Sequence, residues 1–277
     1  MQYTDDELKQ LHETLYGILA EIDRVCEVLG IPYFIQGGSG IGAFFEQAIL
    51  PWDDDIDVGL TRQNYERFLR EAPAVLGKDY FLQWVETDPH TPYYFAKVMR
   101  RNTAFIDKFN KDLEMEKGIY VDVFPYDKVP DTLWLQKAHR TWCNFLNCCF
   151  MGKEIWQWKW FGTPAFLPAR ERNWVMCGLT RLVVTLLPKK AIYRWLSHSL
   201  GFFNFLSKAT FYNMVLMPKD HISVESIEHP QKVKFGPLQV WAPSDLETYL
   251  RRHYRNLRRH IPKEEQQNHR PEILSFG

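Results

Sequence analysis

Three features of the chain predict an α/β or α+β fold built on a mixed sheet. A long amphipathic helix opens the sequence, short apolar strands follow it at irregular spacing, and from about residue 130 the chain turns helical and basic. Thr4-Asp5-Asp6-Glu7 has the capping-box pattern, so a helix starts there. Leu8, Leu11, Leu15, Ile18, Leu19, Ile22 and Val25 carry it at helical spacing towards Gly30, and Pro32 stops it. Tyr33–Ile35 reads as a short strand, Gly37-Gly38-Ser39-Gly40 as a flexible turn, and Ile41–Phe45 as one or two helical turns. Asp53–Gly59 alternates like a strand, and Gln63–Leu69 fits a helix. Tyr80–Val85, Tyr93–Met99 and Ile119–Val123 are further strands. Near the C-terminus Lys232–Trp241 reads as a β-hairpin turning at Gly236-Pro237, and Ser244-Asp245-Leu246-Glu247 opens a last helix.

With 277 residues and 45% hydrophobic residues, the chain suits one sizeable globular domain or a domain with an appendage. The expected division is a catalytic core over 1–130, a basic helical subdomain over 131–230, and a hairpin with a C-terminal helix over 231–277 that packs back on the core. The net charge of zero hides a strong asymmetry. Residues 1–136 hold 24 Asp and Glu against 13 Lys and Arg, whereas residues 137–208 hold 2 against 11. One lobe therefore suits cations and the other something anionic. The five cysteines lack C-x-x-C spacing, so buried thiols in a reducing, cytoplasmic setting are expected. The acidic N-terminus does not read as a signal peptide, and no apolar run is long enough for a spanning helix.

The acidic strand carries the strongest chemical signal. On a strand Asp53, Asp55 and Asp57 share one face, while Ile56 and Val58 point into the core. Carboxylates that close repel one another unless a cation sits among them, and a hard divalent ion such as Mg²⁺ or Mn²⁺ takes such oxygen ligands together with phosphate oxygens. The competing reading is a solvated acidic turn. An EF-hand is excluded, because the loop lacks the required Gly and terminal Glu. Just upstream, Gly37, Gly38 and Ser39 lie between a strand and a helix, where backbone N–H groups can approach a phosphate. Asp122, at the end of an apolar strand, completes a metal shell or accepts a proton from an attacking hydroxyl, or else merely caps a turn. Asp127 reads as a turn former. His139, His198 and His253 have no metal spacing and read as structural or surface residues.

Tyr33-Phe-Ile-Gln-Gly-Gly-Ser, Ile41-Gly-Ala and Leu50-Pro-Trp-Asp-Asp-Asp-Ile-Asp-Val-Gly together resemble the signature block of the LicD family. Ala96-Lys97, Asn102-Thr103 and Gly118 through Asp127 with Val129-Pro130 resemble its second block. Tyr249-Leu250, Tyr254, Ile261-Pro262, Glu264 and His269 resemble a weaker third. The resemblance implies a polymerase-β-like nucleotidyltransferase fold and a CMP-releasing phosphotransferase drawing on CDP-choline, or on CDP-ribitol as in fukutin-type relatives. It implies Asp55 and Asp57 as metal ligands, Asp53 as their neighbour and Asp122 as the third carboxylate. The chain departs from the family at Phe45-Glu46, where an Arg is usual, and at Arg255-Asn256, where Gly-Asp is usual. Lys97, Arg100 or Arg101 then becomes the candidate cation over the phosphate.

The expected activity is metal-dependent transfer of phosphocholine or a similar polyol phosphate from a CDP-linked donor to a hydroxyl of a glycan or lipid-linked glycan, with no nucleic-acid partner. The rivals are a nucleotidyltransferase using a nucleoside triphosphate and a silent glycan- or membrane-binding module. Trp156, Trp158 and Trp160, alternating with Gln157 and Lys159, leave three readings open: a packed lid, a membrane-surface patch, and an aromatic cage for a quaternary ammonium. The segments Trp174–Leu187 and Ile192–Leu206 suit either docking or membrane contact, so peripheral attachment to a membrane through residues 137–208 is a further expectation.

Overall fold

A computed structural model describes residues 3–155 and 174–277, apart from positions 207, 218, 219, 255, 263, 265 and 267. Trp156, Trp158 and Trp160 lie outside the described residues, as does the side chain of Cys177. Helix α1 (Asp5–Leu29) begins at the expected capping box, with the Glu7 N–H donating to Thr4 Oγ1 and the Thr4 N–H donating to Glu7 Oε2. Its apolar stripe, Leu11 through Cys26, is buried against the sheet.

The sheet is mixed, and one strand organises it. Strand β6 (Tyr120–Val129) pairs in parallel with β2 (Asp57–Thr61) and antiparallel with β4 (Ala96–Arg100). β1 (Phe34–Ile35) flanks β2, and β3 (Tyr80–Gln83) flanks β4. The far half of β6 pairs with β7 (Phe211–Asn213), which pairs with β8 (His221–Ser223). β5 (Ala104–Ile106), which has no clear signal in the sequence, pairs with β11 (Ile273–Ser275) and ties the C-terminal segment to the core.

Around this sheet lie α2 (Gly37–Phe45), α3 (Arg62–Glu71), α7 (Val224–Glu228) and α8 (Leu246–His253). The expected hairpin forms as β9 (Gln231–Phe235) and β10 (Leu238–Ala242). Helices α4 (Leu133–Ile155), α5 (Trp174–Leu186) and α6 (Lys189–Leu200), with a 3-10 turn over Gly201–Phe205, form the helical stretch after β6. Cys143, Leu146, Cys149 and Phe150 of α4 and Ile192, Leu196 and Leu200 of α6 build a second apolar cluster there. Cys26, Cys143, Cys148 and Cys149 are buried thiols, as expected.

Four expectations are corrected. Helix α2 starts at Gly37 rather than Ile41, so the expected turn is its first turn. Strand β2 starts at Asp57, leaving residues 53–56 as an irregular approach to it. Asp122 does not end a strand, because β6 continues for seven more residues to Val129. Asp127 is no turn former. It lies within β6, buried, and its carboxylate accepts from Arg62 Nε at 2.9 Å and from Arg62 Nη2 at 2.6 Å.

This ion pair joins α3 to β6, and Asn204 Nδ2 donates to the same carboxylate at 2.7 Å, adding the 3-10 turn. Removing one member of a buried, bidentate pair leaves the other charge without compensation. Arg62→Ala should lower the free energy of unfolding by about 3–5 kcal/mol in urea titrations. A loss below about 1 kcal/mol would show that water replaces the guanidinium.

Candidate active site

The register of the sheet assembles the site. Asp57 of β2 stands opposite Asp122 of β6, and Asp122 stands opposite Lys97 of β4. Residues paired across adjacent strands point to the same face, so two carboxylates and an ammonium form one row. Lys97 Nζ donates to Asp122 Oδ1 at 2.6 Å. Asp53 and Asp55 approach the same face from the segment before β2, where Asp53 hydrogen-bonds Asp55 and Asp55 faces Asp57 and Asp122. The four predicted carboxylates and Lys97 are thus brought together.

Backbone contacts hold this geometry. The Asp57 N–H donates to Ser39 Oγ at 3.0 Å, and the Asp122 N–H donates to Ile56 O at 3.0 Å. His12 of α1 hydrogen-bonds the Asp53 carbonyl at 2.7 Å, so its Nε2 carries the proton. Burial lowers the pKa of His12 and keeps it neutral in that role. Asp54 points the other way and is buried, accepting from Tyr3 Oη at 2.8 Å and from the His269 N–H at 2.7 Å. It ties both ends of the chain beneath the cluster.

Gly37 and Gly38 lie directly over the carboxylates. Gly37 has φ +57°, and a Cβ there would lie 3.3 Å from Asp57 Oδ2. A Cβ on Gly38 would lie 2.9 Å from Asp53 Oδ2, closer than real contacts allow. Both positions therefore need a residue without a side chain. The first turn of α2 leaves N–H groups without intrahelical partners, as every helix start does. That of Gly37 is taken by Tyr249 Oη at 2.9 Å, and Tyr249 in turn donates to the buried Asp220 Oδ1 at 2.8 Å. His253 Nδ1 bonds the same oxygen at 3.0 Å. Ser39, expected at a phosphate, holds Asp57 through its hydroxyl.

Burial raises the pKa values of all four carboxyls, and their neighbours add to it. Asp53 is pushed to about 8 by burial, then by Asp55 and Asp54. Asp55 is pushed to about 6 by burial, then by Asp122 and Asp54. Asp57 is raised by burial and by Asp55, Asp122 and Asp53. Asp122 is raised by burial, against the opposing pull of Lys97. An all-oxygen donor set gathered on one face and roofed by glycines has the donor chemistry that a hard divalent cation takes.

Among the described residues, the three groups whose donor atoms lie within 4.8 Å of one another are Asp54, Asp55 and His269. That set suits an ion pair better than a metal. His269 is raised to about 9, chiefly by the Asp54 carboxylate, whose Oδ1 lies 3.6 Å from its Nδ1, and an imidazolium has no lone pair to offer. The Lys97 ammonium also lies 3.4 Å from the Tyr120 ring centroid, 4.4 Å from that of Tyr93 and 5.3 Å from that of Phe95. Arg100 and Arg101 do not share the row. Arg100 pairs with Asp79, and Arg101 Nε donates to the Tyr80 carbonyl. At the position of the missing family Arg, Glu46 pairs with Arg259 and Phe45 packs on the core.

His12, Asp220 and the aromatic wall escape sequence reasoning. Asp220 lies 29 residues from Tyr249 and 33 from His253, with no local pattern linking them. Tyr249 and His269 carry a faint signal, since both fall in the weak third block of the resemblance.

The raised pKa values have a thermodynamic consequence. Asp53 and Asp55 bind protons more tightly folded than unfolded, so stability is greatest below about pH 4 for these groups and falls as the pH rises towards 8. The metal-free protein should therefore lose at least about 3 °C of melting temperature between pH 5 and pH 8 through this cluster. Added Mg²⁺ should restore the loss at pH 8 and have little effect at pH 5. A melting temperature unmoved by Mg²⁺ at pH 8 contradicts the cation site.

Residues 30–150 match the family LicD/FKTN/FKRP, nucleotidyltransferase domain, a span that includes all four carboxylates, the glycine turn and Lys97. The chain is 31% identical over 139 residues to the lipopolysaccharide cholinephosphotransferase LicD of Haemophilus influenzae, covering 48% of this chain and 51% of that protein. It is 27% identical over 126 residues to an uncharacterized protein of Rickettsia typhi, covering 46% of this chain and 38% of that one. With an uncharacterized protein of Rickettsia prowazekii it shares 25% over 118 residues, covering 43% and 41%. The chain thus spans about half or less of the length of these curated relatives. Residues 30–150 thus carry the likeness to the LicD family, and the rest of the chain lies outside that match.

Proposed function

We propose that the protein transfers phosphocholine, or a similar phosphate-linked group, from a CDP-activated donor to a hydroxyl of a glycan or lipid-linked glycan. The observation that carries this reading is the row of Asp57, Asp122 and Lys97, with Asp53 and Asp55 alongside and the Gly37-Gly38 turn above. The cholinephosphotransferase named among the relatives supports phosphocholine as the group transferred.

Asp55 and Asp57 would hold Mg²⁺ or Mn²⁺, with Asp122 as the third carboxylate. The ion would neutralise the donor diphosphate and the charge that develops on its departing oxygen. In the reaction the acceptor oxygen attacks the phosphorus that carries choline. The new P–O bond forms as the bond to CMP breaks, and CMP leaves with the electron pair. The acceptor proton passes to a carboxylate of the cluster. Asp122 and Asp53 are the candidates, because burial has raised both towards the range useful in a base. Lys97, held by Asp122, supplies positive charge to the phosphate in place of the family's Arg. The free N–H groups of the first turn of α2 and its dipole favour phosphate oxygens. In phosphoryl transfer such positioning and charge compensation provide most of the acceleration.

The test is CMP release from CDP-choline, CDP-ethanolamine and CDP-ribitol with glycan acceptors, each with Mg²⁺ and with chelator. Metal-dependent turnover with CDP-choline is expected, together with a loss of at least about 10³-fold in Asp57→Asn. That variant should melt no lower than the parent without metal, since it removes a buried charge. Pyrophosphate release from CTP would instead assign a nucleotidyltransferase. Near-normal turnover in Asp57→Asn would sink the site assignment.

A further inference from the structure

The second apolar cluster presents a face that the proposed reaction does not use. Trp134 and Trp142 stand about two turns apart on α4. The Trp142 ring meets Trp195 of α6 at 5.3 Å, and its Nε1 donates to Ser199 Oγ at 3.1 Å. Next to Trp142 an apolar groove of about 260 Å³ runs between Leu135, His139, Phe202 and Phe203. Phe202 then contacts Phe205 in the 3-10 turn. These rings are unusually open to solvent for their size, with Trp134 69% and Phe205 70% exposed, Phe202 53%, and Trp195 and Trp142 about 40%.

Charge says what could cover this face. No Asp or Glu occurs from Thr132 to Lys153, nor from Lys189 to Lys208. Of the cations there, Lys189 is matched by Glu154 and Lys190 by Glu86. Lys137 and Arg140 on α4, Arg194 on α6 and Lys208 after the 3-10 turn make no ion pair among the described residues. Lys137 lies within one turn of Trp134, and Arg194 adjoins Trp195. Aromatic rings set among uncompensated cations have the composition of a lipid-interface surface, where rings sit at headgroup depth and long basic side chains reach anionic headgroups. A second copy of the chain fits poorly, because a symmetric contact would bring like charges face to face. Among the described residues no helix is long and apolar enough to cross a membrane.

We infer that the face formed by α4, α6 and the Gly201–Phe205 turn docks on an anionic lipid bilayer, with its rings at headgroup depth. This inference stands apart from the reaction proposed above, and a protein without transferase activity could still show it. It does give a chain that acts on lipid-linked glycans a way to meet a substrate confined to a surface.

The test is co-sedimentation of the full chain with phosphatidylcholine vesicles, with and without phosphatidylglycerol. Partitioning onto the anionic vesicles at least roughly tenfold stronger than onto neutral ones is expected. Trp134→Ala/Phe205→Ala and Lys137→Glu/Arg194→Glu should each weaken it roughly tenfold, with melting temperatures close to the parent's because all four side chains are exposed. High salt should release the protein. No binding, or equal binding by parent and both variants, overturns the inference. Concentration-dependent dimerisation that the aromatic variant abolishes would also overturn it, assigning the face to a second copy.

Discussion

Carboxylates that share a buried face repel one another, and the rest of this structure is arranged so that four of them nevertheless do. Asp57 and Asp122 are fixed opposite each other by a parallel register, and a register cannot slip without turning every side chain of the strand over. Val58, Val123 and Val121 face the core from these strands, so the apolar pattern that builds the sheet also holds the charges in place. The electrostatic strain appears as carboxyl groups that release protons far less readily than usual. Strain of this kind is relieved by protons or by a cation, which is why the proposed reaction draws on a metal ion.

The supports are as specific as the carboxylates. His12 reaches from the N-terminal helix to the Asp53 carbonyl, and Asp54 ties Tyr3 to the backbone at His269. Tyr249 connects the C-terminal helix to the first turn of α2, and Asp220 anchors Tyr249. Contacts from both ends of the sequence thus converge on a site whose charged residues come from its middle. Lys97 belongs to both tiers. It is the one cation in the row, and the rings of Tyr93 and Tyr120 keep its ammonium against Asp122.

Much of this was legible in the sequence, for identifiable reasons. Alternation in Asp53–Gly59 marks the carboxylates that meet, because Asp53 and Asp55 reach the face of Asp57 while Asp54 and Ile56 are buried away from it. The capping box of α1 and the hairpin at Gly236-Pro237 are local, and local signals survive folding. Asp127 was misjudged because a Pro-Tyr-Asp-Lys run has turn composition, while its true partner, Arg62, lies 65 residues away. The glycine run reads as a turn for the same compositional reason. Its helical start depends on Tyr249, 212 residues distant, accepting the first N–H. What the sequence concealed were contacts between elements far apart in the chain.

The central claim is that this cluster binds a nucleotide diphosphate through a divalent cation. Calorimetric titration of the protein with CDP-choline, in Mg²⁺ and again in chelator, tests it most directly. The account predicts saturable binding in Mg²⁺ and none in chelator. Equal affinity in both, or no binding in either, would contradict it.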